Sequence, residues 1–246
     1  MADEIKDVAP AQAIAVQELK KSFGHHLALN GVDFRVARGE AVVVFGPNGA
    51  GKTTLIKILA TIMNPSSGRI FIDGMSAKDS AEKIRRRIGV ITHQTFLYGT
   101  LTAYENLEFY GRLYDVPRRK ERIHEVVETV GMTSRLHDRV GTLSRGMQQR
   151  LSIARSLLHK PPIMLLDEPE TGLDQQALVV LREALRAEDG ARRTVVLTTH
   201  NLERGLELGD RLLILARGRI VYEGVTASLD LAGLREAYHQ STGVKA

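Results

Sequence analysis

The chain has 246 residues, 43% of them hydrophobic and 26% charged, and its 34 Lys plus Arg against 29 Asp plus Glu leave a formal net charge of +5. This is an ordinary globular composition, long enough for one α/β domain or two closely associated subdomains around a buried core; it excludes a disordered chain and a miniature stapled scaffold. Cysteine is absent, which removes disulfides, thiolate zinc sites, iron–sulfur clusters and cysteine nucleophiles together.

In chain order, the start Met-Ala-Asp-Glu-Ile-Lys-Asp is acidic and carries no apolar stretch, so no secretory signal is expected. Residues 13–19 and 31–36 alternate apolar with polar, which predicts half-buried antiparallel strands near an edge. Residues 41–45 are apolar throughout, as a strand covered on both faces should be. A glycine-rich turn at 46–51 then feeds a helix over 52–60, with Leu55, Ile56 and Leu59 at helical spacing. A short strand at 69–72 ends at the turn signal Asp73-Gly74, and a strand at 89–92 precedes Gln94. From about 95 to 158 the pattern turns helical, over 103–113, 118–130 and 145–159, punctuated by Pro117 and Gly131. Strand-like runs resume at 163–166, 194–199 and 212–215, with a helix over 175–187 between the first two. Alternating strands and helices predict a mostly parallel sheet.

The apolar runs at 41–45, 163–166 and 212–216 are far shorter than the roughly 18 to 20 residues that span a bilayer, so the chain is not expected to cross a membrane by itself. Basic residues concentrate only at Arg85 to Arg87 and Arg118 to Arg122. The first of these clusters reads as a solvated helix face, and no nucleic-acid partner is expected.

Two motifs carry chemistry. Gly46-Pro47-Asn48-Gly49-Ala50-Gly51-Lys52-Thr53 fits G-x-x-x-x-G-K-[ST] between a buried strand and a helix, the context in which that pattern cradles phosphates. Glycines let the backbone wrap an anion, helix N-terminal N–H groups face it, Lys52 can reach the β- and γ-phosphates, and the Thr53 hydroxyl can ligate Mg²⁺. The second motif, Ile163-Met164-Leu165-Leu166-Asp167-Glu168-Pro169, is a buried strand ending in two carboxylates, where open α/β sheets bind ligands. Asp167 there would hold Mg²⁺ and Glu168 would orient or deprotonate an attacking water. These motifs alone leave kinase, GTPase, helicase and transporter ATPase open.

The deciding segment is Leu143-Ser144-Arg145-Gly146-Met147-Gln148-Gln149-Arg150, followed by Leu151-Ser152-Ile153-Ala154-Arg155 and then the acidic strand. The chain resembles the ATP-binding-cassette (ABC) family, whose signature is L-S-G-G-Q, over about residues 13–225. Arg145 and Met147 depart from that signature, while Ser144 and Gly146 keep it.

The resemblance implies an α/β P-loop NTPase fold: a RecA-like, mostly parallel sheet, an antiparallel β edge subdomain and a helical insertion. It implies one ATPase domain over 10–225, with the insertion at about 95–158, then a short helix and tail over 226–246. It places adenine stacking at Phe23, phosphate binding at Gly46 to Thr54 (Thr53 and Thr54 included), and a glutamine loop at Gln94 that also reaches Mg²⁺. It places a further loop ending at Asp174, a γ-phosphate contact at His200, and signature contacts from Ser144, Arg145 and Gly146. The catalytic set it implies is Lys52, Gln94, Glu168 and His200.

It further implies ATP and Mg²⁺ as ligands and a dimer, with itself or a related ATPase subunit, closing around two ATP. It implies an integral membrane transporter subunit as partner, and a place on the cytoplasmic face of the cell membrane. Tyr98 to Leu107 reads as the surface for that partner, or as a core-facing stripe of Leu101, Tyr104 and Leu107. The variant signature and Thr171-Gly172-Leu173-Asp174-Gln175-Gln176 look most similar to exporter-type cassettes, those exporting haem for cytochrome c maturation in particular. A soluble ABC ATPase, such as one serving iron–sulfur assembly, is the alternative.

Overall fold

The computed structural model describes residues 12–170, 175–185 and 192–243. In chain order its strands and helices are β1 (Gln12–Phe23), β2 (His26–Ala37), β3 (Ala41–Phe45), α1 (Lys52–Leu59), β4 (Ser67–Ile72), β5 (Met75–Ser76), α2 (Ala81–Arg85), β6 (Ile88–Ile91), α3 (Ala103–Leu113), α4 (Arg119–Thr129), α5 (Arg145–Leu157), β7 (Ile163–Asp167), α6 (Gln175–Leu185), β8 (Thr194–Thr198), α7 (Leu202–Leu208), β9 (Arg211–Ala216), β10 (Arg219–Val225) and α8 (Leu231–Thr242). They divide into two compact units, Met1–Arg85 with Thr194–Ala246, and Arg86–Arg193.

In the first unit, β3 lies between β8 and β9 and runs parallel to both, while β10 pairs antiparallel with β9. All five β3 residues are buried, which is why the run reads as continuously apolar. Helix α1 buries Leu55, Ile56, Ile58 and Leu59; each such side chain contributes roughly 1.5 to 3 kcal/mol of burial. A second sheet of order β2-β1-β4-β5 is antiparallel throughout. Its first two strands are 12 residues each, longer than their alternation suggests. The pattern is broken because Glu18 and Gly31 adopt positive φ (48° and 72°) and the register shifts nearby, so side-chain alternation resets at the bulges.

Close approach governs the turn after β3. A Cβ on Gly46 would lie 2.2 Å from the Leu215 carbonyl oxygen, so only glycine lets this backbone pass beside β9. Gly49 differs: its φ is +78°, yet a Cβ there meets nothing within 4 Å.

In the second unit, β6 and β7 pair in parallel and α5 packs against β6, α3, α4 and α6. Helix α3 begins where its capping box dictates: the Thr102 hydroxyl accepts from Glu105 N and the Glu105 carboxylate accepts from Thr102 N. Within the Arg118 to Arg122 cluster Arg118 and Lys120 are exposed, while Arg119 and Arg122 turn inward. Arg119 pairs with Glu108 at 3.1 Å, and Arg122, 7% exposed, donates to the carbonyls of Leu157 and Leu158 at the end of α5.

Just past that helix end, His159 stacks on Tyr114 with ring centroids 4.1 Å apart, and its Nε2 donates to the Ile88 carbonyl at 2.9 Å. Burial, against the opposing pull of that bond, takes its pKa from the ordinary 6.5 to about 4, helped by the charges of Arg155 and Arg122.

Two tests follow from these packing features. Gly46→Ala is expected to destabilise the protein by about 2 kcal/mol or more, and Gly49→Ala by only about 1 kcal/mol, in urea unfolding; equal costs would contradict the Leu215 contact. The second concerns pH. Because the folded His159 is the weaker base, the unfolded chain binds more protons between pH 6.5 and 4. The stability this residue contributes is therefore full above pH 6.5 and is lost as pH falls towards 4, on the order of 3 kcal/mol. His159→Phe keeps the stacking ring, and should flatten the dependence of unfolding midpoint on pH in that window.

Candidate functional site

The first unit carries the phosphate-loop residues, Phe23 and His200. The loop runs from the buried end of β3 into α1, with Gly49 and Gly51 at φ +78° and +108°. Gly51 stands at the N-cap of α1, no side chain caps that helix, and its first turn holds no acidic residue. A helix start without a side-chain cap or an acidic residue in its first turn suits a phosphate. Lys52 is 6% exposed and its Nζ donates to the carbonyls of Gly46 at 2.7 Å and Pro47 at 3.2 Å, so the ammonium is held inside the loop. Ala50 accepts from Gly218 N at 3.2 Å, bracing the loop against the β9–β10 turn. Pro47 is half-buried and Asn48 exposed at the loop's crest, while Thr53 and Thr54 lie half-buried in the first turn of α1.

Phe23 ends β1 with its ring 47% exposed. The Lys21 ammonium sits 5.2 Å from the ring centroid and donates to Asn64 O at 2.9 Å, which leaves the rest of the ring available for stacking. His200 is exposed just beyond β8. The residues around it are fixed: Thr199 N donates to Val44 O on β3, Asn201 N donates to the Thr199 hydroxyl, and the Asn201 side chain caps α7.

The second unit carries the carboxylates, the signature and Gln94. Asp167 ends β7 and is 2% exposed. Glu168 follows in the left-handed region (φ 46°), an uncommon conformation for a non-glycine residue that turns the chain sharply after the strand. Ser144 is the N-cap of α5, its hydroxyl accepting from Met147 N at 3.3 Å, and no acidic residue occupies that helix's first turn. Arg145 is exposed and Gly146 half-buried in that turn. Gln94 and Arg145 line one cavity of about 530 Å³ together with His93, Phe96, Gln148 and Gln149. Asp174 lies outside the described residues.

Sequence reasoning missed the scaffold of the Gln94 loop. The Thr92 hydroxyl accepts from Gln94 N at 3.1 Å and donates to Gln94 O at 2.8 Å. Gln149 Nε2 donates to Thr92 O at 3.2 Å. Asn106, fully buried, accepts from Tyr98 N and donates to Tyr98 O. Arg155 is also buried, and desolvation lowers its pKa against the opposing effect of Tyr110 and Tyr114. The one available signal was polar residues, Asn106 and Arg155, on helix faces otherwise turned to the core.

Tyr98 to Leu107 divides between the two readings. Leu107 is core, Leu101 and Tyr104 are half-buried, and Tyr98 is 50% exposed, forming with Phe109 (43% exposed) an edge-on ring pair 5.4 Å apart.

Taken singly, the Thr53 hydroxyl of the first unit and the Gln94 amide and Asp167 carboxylate of the second are hard oxygen donors, the kind Mg²⁺ takes beside water and phosphate oxygens. Among the described residues there is no cluster of three or more His, Cys, Asp or Glu that would hold a metal by protein ligands alone.

A family model described as "ABC transporter" matches residues 29–171. The ABC transporter ATP-binding protein NatA of Bacillus subtilis (strain 168) is 37% identical over 205 residues, 82% of this chain and 83% of that protein. The daunorubicin resistance ATP-binding protein DrrA3 of Streptomyces coeruleorubidus is 38% identical over 219 residues, 88% of this chain and 69% of that protein. Among solved structures, the dimeric post-hydrolysis state of the ATP-binding cassette MJ0796 bound to ADP and Pi matches with TM-score 0.77 at 30% identity, covering 87% of this chain and 98% of the other. The α/β P-loop cassette fold read from the sequence is thus the fold observed, and the chain belongs to the ABC transporter family as one of its ATP-hydrolysing cassettes.

Proposed function

We propose that the chain is the ATPase subunit of a transporter whose membrane-spanning part is a separate protein, and that two cassettes close around two ATP to drive export. The observation that carries this reading is the phosphate loop opening directly onto the uncapped N-terminus of α1, in a chain whose α5 begins at a signature-like segment capped by Ser144.

In this reading Phe23 stacks on adenine, and Gly46 to Thr54 with Lys52 hold the phosphates. Thr53, Gln94 and Asp167 are the residues that would hold Mg²⁺, which when bound neutralises charge on the β- and γ-phosphate oxygens. Glu168 takes a proton from the attacking water as it approaches the γ-phosphorus in line with the departing oxygen of the diphosphate. Lys52 and the leading N–H groups of α1 stabilise the developing negative charge. His200 contacts the γ-phosphate. Ser144, Arg145 and Gly146 supply donors to the nucleotide of the second cassette, and Asp174 belongs to the dimer contact. Because those donors differentially favour the ATP state, hydrolysis removes the closure they provide.

Among the described residues no helix is long and apolar enough to cross a membrane. We place the membrane partner on the exposed hydrophobic side chains Tyr98, Phe109 and Leu113 in the second unit, at the cytoplasmic face of the cell membrane. Export is supported by relatives such as DrrA3, whose name speaks of drug resistance. Haem, the cargo the variant signature suggested, draws no support from the relatives' names, and cargo choice belongs to the membrane subunit.

Glu168→Gln is expected to bind ATP, lose at least about a hundredfold in turnover, and run as a dimer in gel filtration with ATP. A monomer with near-wild-type hydrolysis would refute the role of Glu168. Mild detergent extraction should bring down a polytopic membrane protein with the chain; recovery with soluble assembly proteins alone would favour the non-transport alternative.

A further inference from the structure

Arg155 is a buried cation without a counter-ion. It is 6% exposed, its Nη2 donates to Val90 O at 2.8 Å, its Nε has no hydrogen-bond partner, and it forms no ion pair among the described residues. Two aromatic rings take the place of a carboxylate. The guanidinium carbon lies 5.5 Å from the Phe96 ring centroid and 5.2 Å from that of Tyr110. Phe96 itself is held in the left-handed region (φ 54°), and its carbonyl accepts the Tyr110 hydroxyl. A methionine or leucine would fill this space without the desolvation cost of an arginine. What an arginine adds is a flat cation that can lie over two rings while donating in its own plane to a carbonyl, which a lysine cannot do.

The two residues anchoring this loop from below are on one helix. Gln149 holds Thr92 and Arg155 holds Phe96, so α5, the helix capped by Ser144, grips the chain on both sides of Gln94. We propose that Arg155 is a positioning residue for ATP turnover: clamped between Phe96 and Tyr110, it fixes the left-handed turn at Phe96 and thereby the orientation of Gln94, coupling the signature helix to the glutamine loop. The proposal rests on the role given to Gln94 above.

The test is a double-mutant cycle on the purified full chain with Mg²⁺ and ATP, reading kcat, KM and the thermal unfolding midpoint. Arg155→Met should lower kcat about tenfold while leaving KM within about twofold and the unfolding midpoint no lower than wild type. Arg155→Lys should not restore kcat. Combined with Gln94→Ala, Arg155→Met should cause no further loss, because both act through one group. Tyr110→Phe leaves the cation and the packing in place and removes only the hydroxyl from Phe96. It should lower kcat about threefold, again only while Gln94 is present, so the idea stays testable if the Arg155 variants fold poorly. Multiplicative losses in the double variants, wild-type kcat in Arg155→Met, or full rescue by lysine would overturn the clamp while leaving an impaired Gln94→Ala and the role of Gln94 intact. Wild-type turnover in Gln94→Ala itself would instead overturn that role, and the clamp with it.

Discussion

Strand β3 has no solvent-facing side, and most of the first unit follows from that. Flanked by β8 and β9 in parallel register, it can be built only from apolar residues, and it must deliver the chain to the phosphate loop beside the backbone of β9. The Leu215 carbonyl then leaves room for nothing larger than glycine at position 46. From there the loop has little freedom. Lys52 folds back onto the carbonyls of Gly46 and Pro47, Gly218 donates to Ala50, and α1 is locked down by its four buried aliphatic side chains. The N-terminal end of α1 is therefore held in place by packing, a fixed helix start of the kind that suits a phosphate.

The second unit organises itself around α5 in a comparable way. The helix presents a capped, carboxylate-free N-terminus at Ser144 and, along its buried side, Gln149 and Arg155 reaching the loop after β6. Its far end is closed by Arg122, whose guanidinium takes up the last carbonyls. One rigid element thus touches the signature, the glutamine loop and the α4 face. A displacement at any of these points has a direct mechanical route to the others.

The apolar strands β3, β7 and β8 were legible because burial on both faces writes a continuous hydrophobic run, and α3 began at its predicted residue because Thr102 and Glu105 spell a capping box. Strand β10 and helix α7 were not. No residue of β10 is fully buried, its positions alternating only between exposed and half-buried, so it writes no hydrophobic run, and α7 has only seven residues, too few for a helical period to emerge. At the site, the phosphate loop and the signature are contiguous in sequence and could be read directly. Phe96, Tyr110 and Arg155 are far apart along the chain, and each alone looks like an ordinary loop or helix residue. Arg122 gives no sign of its place either: it stands in a run of basic residues, yet it is buried.

The chain has no tryptophan, and four of its six tyrosines, Tyr98, Tyr104, Tyr110 and Tyr114, belong to the second unit around the Gln94 loop and α3. Tyr98 and Tyr110 each stand edge-on to Phe109, and Tyr110 also lies against the Arg155 cation. The ultraviolet emission and near-ultraviolet circular dichroism of the unlabelled protein are consequently weighted towards this one neighbourhood. Any rearrangement of the segment after β6 would thus have an intrinsic optical reporter. The absence of cysteine means that a single introduced thiol elsewhere could be labelled as an independent second channel.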